Sequence, residues 1–312
     1  MTELLRELAT IALMFGVVAG VGWLLWWLLI ESEGVYLGRR VVIALYDLYA
    51  GRYDDTKRFR KASDHQYLAG PLMQAFAPDR APRVLDVATG TARLPIALLN
   101  HAGFGGVVFG VDLSRRMLAH GAAKLGGFLV GTAAERAQPY VVLVHAPAER
   151  LPFPDASFDG VTCLEALEFM NRPTDVLAEL ARVLMPGGVL LITTRISTRL
   201  MPGKVWRDET MLGHLLDAGF DNIEFETWQV DYTLVWAARA ADDRPDDEGV
   251  PPDDRAQPPS LIAALLVCPR CRARAFAYDA GAWVCGGCGA HVPVGQDGVI
   301  ELEAATQGQP AH

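Results

Sequence analysis

Charge is missing from the start of the chain. From Leu8 to Ile30 there are 23 consecutive residues without Asp, Glu, Lys or Arg, about 35 Å as a helix at ~1.5 Å per residue, enough to cross a hydrocarbon core. No A-x-A cleavage site follows, and Glu3 and Glu7 flank Arg6 in the leader, which argues against a removable signal peptide. Trp23, Trp26 and Trp27 gather toward one end, as aromatic residues do at membrane interfaces. Residues 1–34, with a span over 8–30, are therefore expected to form a single-pass membrane anchor whose partner is bilayer lipid. A buried core helix is the alternative.

Basic residues are also in deficit, with 28 Lys and Arg against 37 Asp and Glu and a net charge of −9. That disfavours bulk nucleic-acid binding, which needs a basic footprint. The argument is weakened by residues 242–255, where six Asp and one Glu against two Arg supply −5 of the imbalance. Arg39, Arg40, Lys57, Arg58, Arg60 and Lys61 follow the span, against Arg6 alone before it. The positive-inside rule puts the large domain in the cytoplasm. Cysteine is scarce: five residues, four of them in two CxxC pairs.

At 312 residues the chain can bury one full core and a smaller module. Residues 35–79 read as juxtamembrane and further helices. Val35 to Tyr53 carries tyrosines 36, 46, 49 and 53, and either lies along a membrane surface or packs on the core. Strands are expected near 84–88, 107–112, 140–146, 158–164 and 188–194, with helices between, which predicts an α/β fold with a doubly wound, mostly parallel sheet over 80–240. Pro186-Gly187-Gly188 is expected to end a helix and turn into the fifth strand, and 222–229 with 231–239 to close the sheet as a hairpin, giving seven strands. Residues 241–261 are acidic and hold five prolines, an extended linker. A small β-rich module over 262–303 and a disordered tail over 304–312 complete the chain.

The stretch VLDVATGTARLPIALL, Val84 to Leu99, carries the first chemistry. An apolar strand ends in an acid, a turn of small residues follows, and a helix begins, the arrangement that binds ligands at the carboxyl end of an α/β sheet. A second strand, VVFGVDL, ends at Asp112, where a carboxylate can take the two hydroxyls of a ribose. The pair reads as a nucleoside-cofactor site.

With LPFPDASFD (151–159) and RVLMPGG (182–188) in register behind them, these segments resemble the class I S-adenosylmethionine (SAM) dependent methyltransferases, in the ubiquinone/menaquinone C-methyltransferase-like branch. The resemblance implies SAM as cofactor, with Asp86, Ala88 and Gly90 bordering its methionine moiety and Asp112 holding the ribose. Leu113 and Met117 would flank the adenine, Ala148 and Glu149 its edge, and Leu164 and Glu165 the sulfonium side. It also implies a lid in the segment before the first strand. Catalytic candidates are Glu165, Glu168, His65 and Tyr53, and none is singled out as the base. Ala92 replaces a usual glycine and Pro147 a usual acid, and no Asn/Asp-Pro-Pro-Tyr/Phe motif follows the fourth strand, which disfavours base-amine N-methylation.

Cys268, Cys271, Cys285 and Cys288 form two CxxC knuckles, the signature of a four-thiolate structural zinc ribbon, with disulfides or an iron site as alternatives. A module of this size needs such a staple because it cannot bury a sufficient core. With Val292-Pro293-Val294 and Asp297-Gly298-Val299 it resembles the small zinc-ribbon family that includes methyltransferase activator subunits. That implies docking on the chain's own catalytic domain; binding another protein or RNA is the alternative. The expectation is a membrane-anchored methyltransferase acting on a lipophilic or small-molecule acceptor. RNA or protein methylation and a non-catalytic scaffold are the competing readings.

Overall fold

Runs such as VVFGVD and YVVLVH are apolar at nearly every position, the pattern of strands covered on both faces. A computed structural model describes residues 2–54, 61–77, 81–132, 139–196, 200–240 and 258–303. The acidic linker up to 257, the tail from 304, and Lys57, Arg58 and Arg60 lie outside the described residues.

The chain starts with α1 (Thr2–Trp26) and a π-helical turn, Trp27–Glu31, then α2 (Arg39–Tyr49). A short helical segment, a π turn (His65–Ala69) and α3 (Gly70–Ala75) lead to β1 (Arg83–Val87). Next come α4 (Arg93–Leu99), β2 (Val107–Asp112), α5 (Arg115–Leu125) and β3 (Tyr140–His145). After them follow β4 (Phe158–Cys163), α6 (Pro173–Val183), β5 (Leu184–Arg195), α7 (Asp208–Asp217), β6 (Phe220–Thr227) and β7 (Tyr232–Arg239). The sheet order is β3-β2-β1-β4-β5-β7-β6, with β1 to β5 parallel and β7 antiparallel to both neighbours.

Alternation along each strand sends neighbouring side chains to opposite faces. Leu85, Phe109, Val142 and Leu190 join Leu177 and Leu180 of α6 and Leu215 of α7 in one core. Val84, Val108, Val141 and Leu191 join Leu68, Leu72, Leu94 and Leu118 in the other. The helices before β1 thus pack against the sheet. β5 differs from expectation: it begins at Leu184, directly after α6, so Pro186-Gly187-Gly188 lies inside the strand. The register shifts opposite it between Phe158 and Gly160, and Gly187 takes φ 71°.

α1 is exposed along its length and is long and apolar enough to cross a membrane. Its end is fastened to the domain. The Trp27 indole donates to the Leu200 carbonyl (2.9 Å) and stacks on Tyr36, whose hydroxyl donates to the Pro202 carbonyl (2.8 Å).

The C-terminal module starts earlier than the linker boundary expected, with α8 (Ser260–Leu265), whose Leu261, Ile262 and Leu265 are buried in the first core. β8 (Phe276–Asp279), β9 (Ala282–Cys285) and β10 (His291–Pro293) form a three-stranded antiparallel sheet. Beyond them Ile300 runs parallel to β3: its N–H donates to Leu143 O (2.9 Å) and its carbonyl accepts from His145 N (2.8 Å). The fully buried Trp283 donates its indole N–H to Gly131 O (2.9 Å). A Cβ at Gly131 would stand 1.9 Å from Gly298 O, a clash with backbone that no rotamer relieves. Gly131→Ala is accordingly expected to lower stability by about 1–3 kcal/mol, the range for overpacking, read by denaturant unfolding of the full chain. An unchanged midpoint would mean that this contact contributes nothing.

Candidate active site

The cleft forms where β1, β2 and β4 end. The turn after β1 is wound tightly: Ala88, Gly90 and Ala92 all take left-handed φ, at 58°, 54° and 64°. For the two alanines this is a strained conformation. Ala92 stands where relatives of this motif use glycine, and the space is recovered across the interface. Gly121 of α5 faces it, and a Cβ there would meet the Ala92 Cβ at 3.2 Å.

Two buried carboxylates frame the turn. Asp86 accepts from the Thr162 hydroxyl of β4 at 2.6 Å. Burial pushes its carboxyl up to about 6, against the Thr162 hydrogen bond that pulls the other way. Asp112 accepts from Gly90 N (2.8 Å) through one oxygen and from Ser114 N (2.7 Å) through the other. It too is raised by burial, with the backbone N–H groups opposing. Each of its oxygens keeps a lone pair for a further donor.

From this floor a cleft of about 860 Å³, open mouth included, extends under α2. Ala88, Gly90, Asp112, Leu113, Met117, Ala148, Glu149 and Leu164, expected on the cofactor, all line it. Asp86 lines the adjoining hollow with Tyr53 and Glu165. The opposite wall is apolar, from Val42, Ile43, Leu164, Phe169 and Met170. α2 therefore roofs the cleft; residues 55–60 of the segment from Asp54 to Phe76, where a lid is expected, lie outside the described residues. Several bonds hold the roof down. Ser114, the N-cap of α5, donates its hydroxyl to Asp47 (2.6 Å), and Asp54 accepts from Thr91 (2.5 Å) and Lys124 (2.6 Å). Arg39 faces Glu149 at 3.7 Å.

The four catalytic candidates separate. Tyr53 and Glu165 line the cleft. Burial drives the Tyr53 phenol far above its usual range, so it stays a neutral phenol with an O–H to donate. Glu165 is ion-paired with Arg93 at 2.9 Å, and Arg93 also binds Asp64 (2.6 Å). Glu168 points elsewhere: it is buried, accepting from Arg195 (2.8 Å) and Tyr232 (2.6 Å), a structural ion pair outside the cleft lining. His65 is exposed and stacked on His101 at 5.1 Å, likewise outside it. Sequence reasoning missed the α2 residues and Phe169 to Asn171. The spacing of Val42, Ile43 and Tyr46 showed an apolar face without showing what it covers.

Away from the cleft, the Sγ atoms of Cys268, Cys271, Cys285 and Cys288 lie within 4.8 Å of one another, with pairs at 3.7 and 3.6 Å. A tetrahedron with Zn–S bonds of about 2.3 Å has edges of about 3.8 Å, so the donor set suggests a zinc site. None of the four is joined in a disulfide. His291 is exposed on β10 and does not join them.

The sheet order and the acid-bordered cleft at its carboxyl edge define a SAM-dependent methyltransferase. Residues 85–192 match the methyltransferase domain family. Over 226 residues the chain is 30% identical to the ubiquinone/menaquinone biosynthesis C-methyltransferase UbiE of Bordetella parapertussis, covering 60% of this chain and 81% of that protein. It is 36% identical over 151 residues to the demethylmenaquinone methyltransferase of Clavibacter sepedonicus, covering 48% and 56%. Among solved structures, a SAM-dependent methyltransferase from Aquifex aeolicus aligns with a TM-score of 0.48 at 20% identity, over 62% of this chain and 98% of that one. The chain belongs to the class I SAM-dependent methyltransferases, as a distant relative of these quinone-biosynthesis enzymes.

Because burial raises Asp86, the stability it contributes is full below about pH 4 and is lost as pH climbs through about 6. Asp86→Asn should remove about 3 kcal/mol of that pH-dependent loss. The check is the difference between wild-type and variant unfolding free energies from pH 4 to 7; parallel curves would contradict it.

Proposed function

We propose that the protein is a membrane-anchored methyltransferase that alkylates a lipophilic, quinone-like small molecule, with a zinc ribbon as a tethered support for the cofactor side of the cleft. One observation carries this reading: a single cleft joins the nucleoside-binding carboxylate Asp112 to an apolar wall of Ile43, Phe169 and Met170. SAM, when bound, supplies an activated methyl on a sulfonium. The residues present fit it. Asp112 has lone pairs that would accept from ribose hydroxyls, Leu113 and Met117 would flank a planar base, and the small-residue turn would hold the methionine end.

The protein's part is to position and dehydrate. The apolar wall and the α2 roof keep water off the acceptor. Tyr53, held as a neutral phenol, orients it by hydrogen bonding. Glu165, fixed by Arg93, places negative charge on the side assigned to the sulfonium. The names of the relatives, C-methyltransferases of quinone biosynthesis, agree with a flat, apolar acceptor. The exposed apolar α1 supports membrane anchoring.

The ribbon's role rests on its grip on the segment after Asp112. Arg115 pairs with Asp297 (2.7 Å) and Glu301, and His145 bridges Glu301 (3.0 Å) to the Leu113 carbonyl (3.1 Å). Leu113 and Ser114 are thereby braced from the side away from the cofactor.

Calorimetry on the full chain in detergent is expected to show SAM binding that Asp112→Ala weakens about 10- to 100-fold, as loss of charge-assisted hydrogen bonds implies. Labelled methyl should then appear in a lipid extract; label recovered only in RNA or protein would redirect the assignment. Purified protein should carry about one zinc per chain. Cys285→Ser should lose the metal, lower the melting temperature and weaken SAM binding; intact SAM affinity in metal-free, folded protein would remove the supporting role.

A further inference from the structure

We infer that the cleft edge of the domain is itself seated in the bilayer interface, through an apolar rim of Ile196, Leu200 and Val230 beside the exit of α1. This rests on the reading of α1 as a membrane span. The strands fix where the rim lies. β5 runs parallel to β1 and β4, so Arg195 ends on the same edge as the cofactor turn. Arg195 pairs with Tyr232 at the start of β7, which brings the β6–β7 turn to that edge. Ile196 N donates to Asp231 O at 2.8 Å, setting Ile196 next to Val230.

The rim is apolar where water would favour polar residues. Val230, at a hairpin tip, is 86% exposed, Leu200 is 62% exposed and Ile196 38%. Exposed apolar residues scattered singly are ordinary, but a group on one edge marks an interaction surface. Its occupant follows from continuity with α1. Trp27 stands one helical turn before the apolar run ends at Ile30, and an indole in that position sits at headgroup depth. The Trp27 indole N–H is bonded to the Leu200 carbonyl, and Tyr36, stacked on Trp27, is bonded to Pro202. Leu200 therefore lies within one hydrogen bond of the membrane boundary, and the two tethers stop the domain from lifting its rim away. Leu37, directly after Tyr36, is also exposed and extends the same border. The cleft lies at this same edge of the sheet, so with the rim seated an apolar acceptor has a short path to it from the lipid.

The test uses the full chain in phosphatidylcholine/phosphatidylglycerol vesicles, with a genetically encoded, environment-sensitive fluorescent amino acid at position 200, 230 or 216. Leu216 is the control, an equally apolar residue 56% exposed on α7 near the opposite edge of the sheet. Expected are a blue shift, loss of iodide quenching and quenching by brominated acyl chains at 200 and 230, with 216 still accessible to iodide. Protein that floats with the vesicles while 200 and 230 stay wet would overturn the rim and leave the anchor standing. Protein that does not float would overturn both. Lipid exposure at 216 as well would show unspecific adsorption and overturn the rim.

Discussion

The carboxylate of Asp112 holds the cleft together. By accepting from Gly90 N on one oxygen and Ser114 N on the other, it fixes the turn after β1 against the segment after β2. That segment is where the added parts of the protein attach. Ser114 takes the roof through Asp47, Leu113 takes His145 on its carbonyl, and Arg115 takes the ribbon through Asp297 and Glu301. A buried carboxylate with two backbone donors is costly to desolvate and hard to displace once satisfied. It joins three pieces of chain distant in sequence and, in the proposed function, also receives the ribose.

The cofactor side of this arrangement was legible in the sequence because its determinants are local. Strand, acid, small-residue turn and helix lie within about twenty residues, and Asp112 ends a strand whose apolar pattern is plain. The two CxxC knuckles are local in the same sense. What the sequence left open depends on tertiary partners. The apolar face of α2 showed that the helix covers something, but its choice between membrane and cleft is made by Asp47 and Tyr46. Glu168 carries the same charge as Glu165 three residues earlier, yet Arg195 and Tyr232, from β5 and β7, draw it into a structural ion pair. The early start of β5 likewise follows from its bulged pairing with β4, which no local propensity reports.

The ribbon also solves a problem of the sheet. β3 is an outer strand, apolar along its whole length, and an unprotected edge of that kind invites pairing with other chains. Ile300 pairs with the backbone at the carboxyl end of β3 and Val130 N donates to Val141 O further back, while Trp283 and α8 extend the core around it. The four-thiol cluster therefore stabilises more than its own small sheet, because the residues that close the edge leave directly from β10. Loss of the staple exposes β3 as well as the knuckles.

This edge closure has a bearing on how the protein is made. Asp297, Ile300 and Glu301 come after every named element in chain order, so during synthesis the seven-stranded sheet can form while the carboxyl end of β3 and the Arg115 side of the cleft are still uncovered. Completion waits for the segment after β10 to emerge. A chain interrupted within the ribbon keeps the whole methyltransferase motif set yet presents a sticky edge and an unbraced cofactor loop. Translation to near the end of the ribbon is thus needed before the segment after Asp112 is braced.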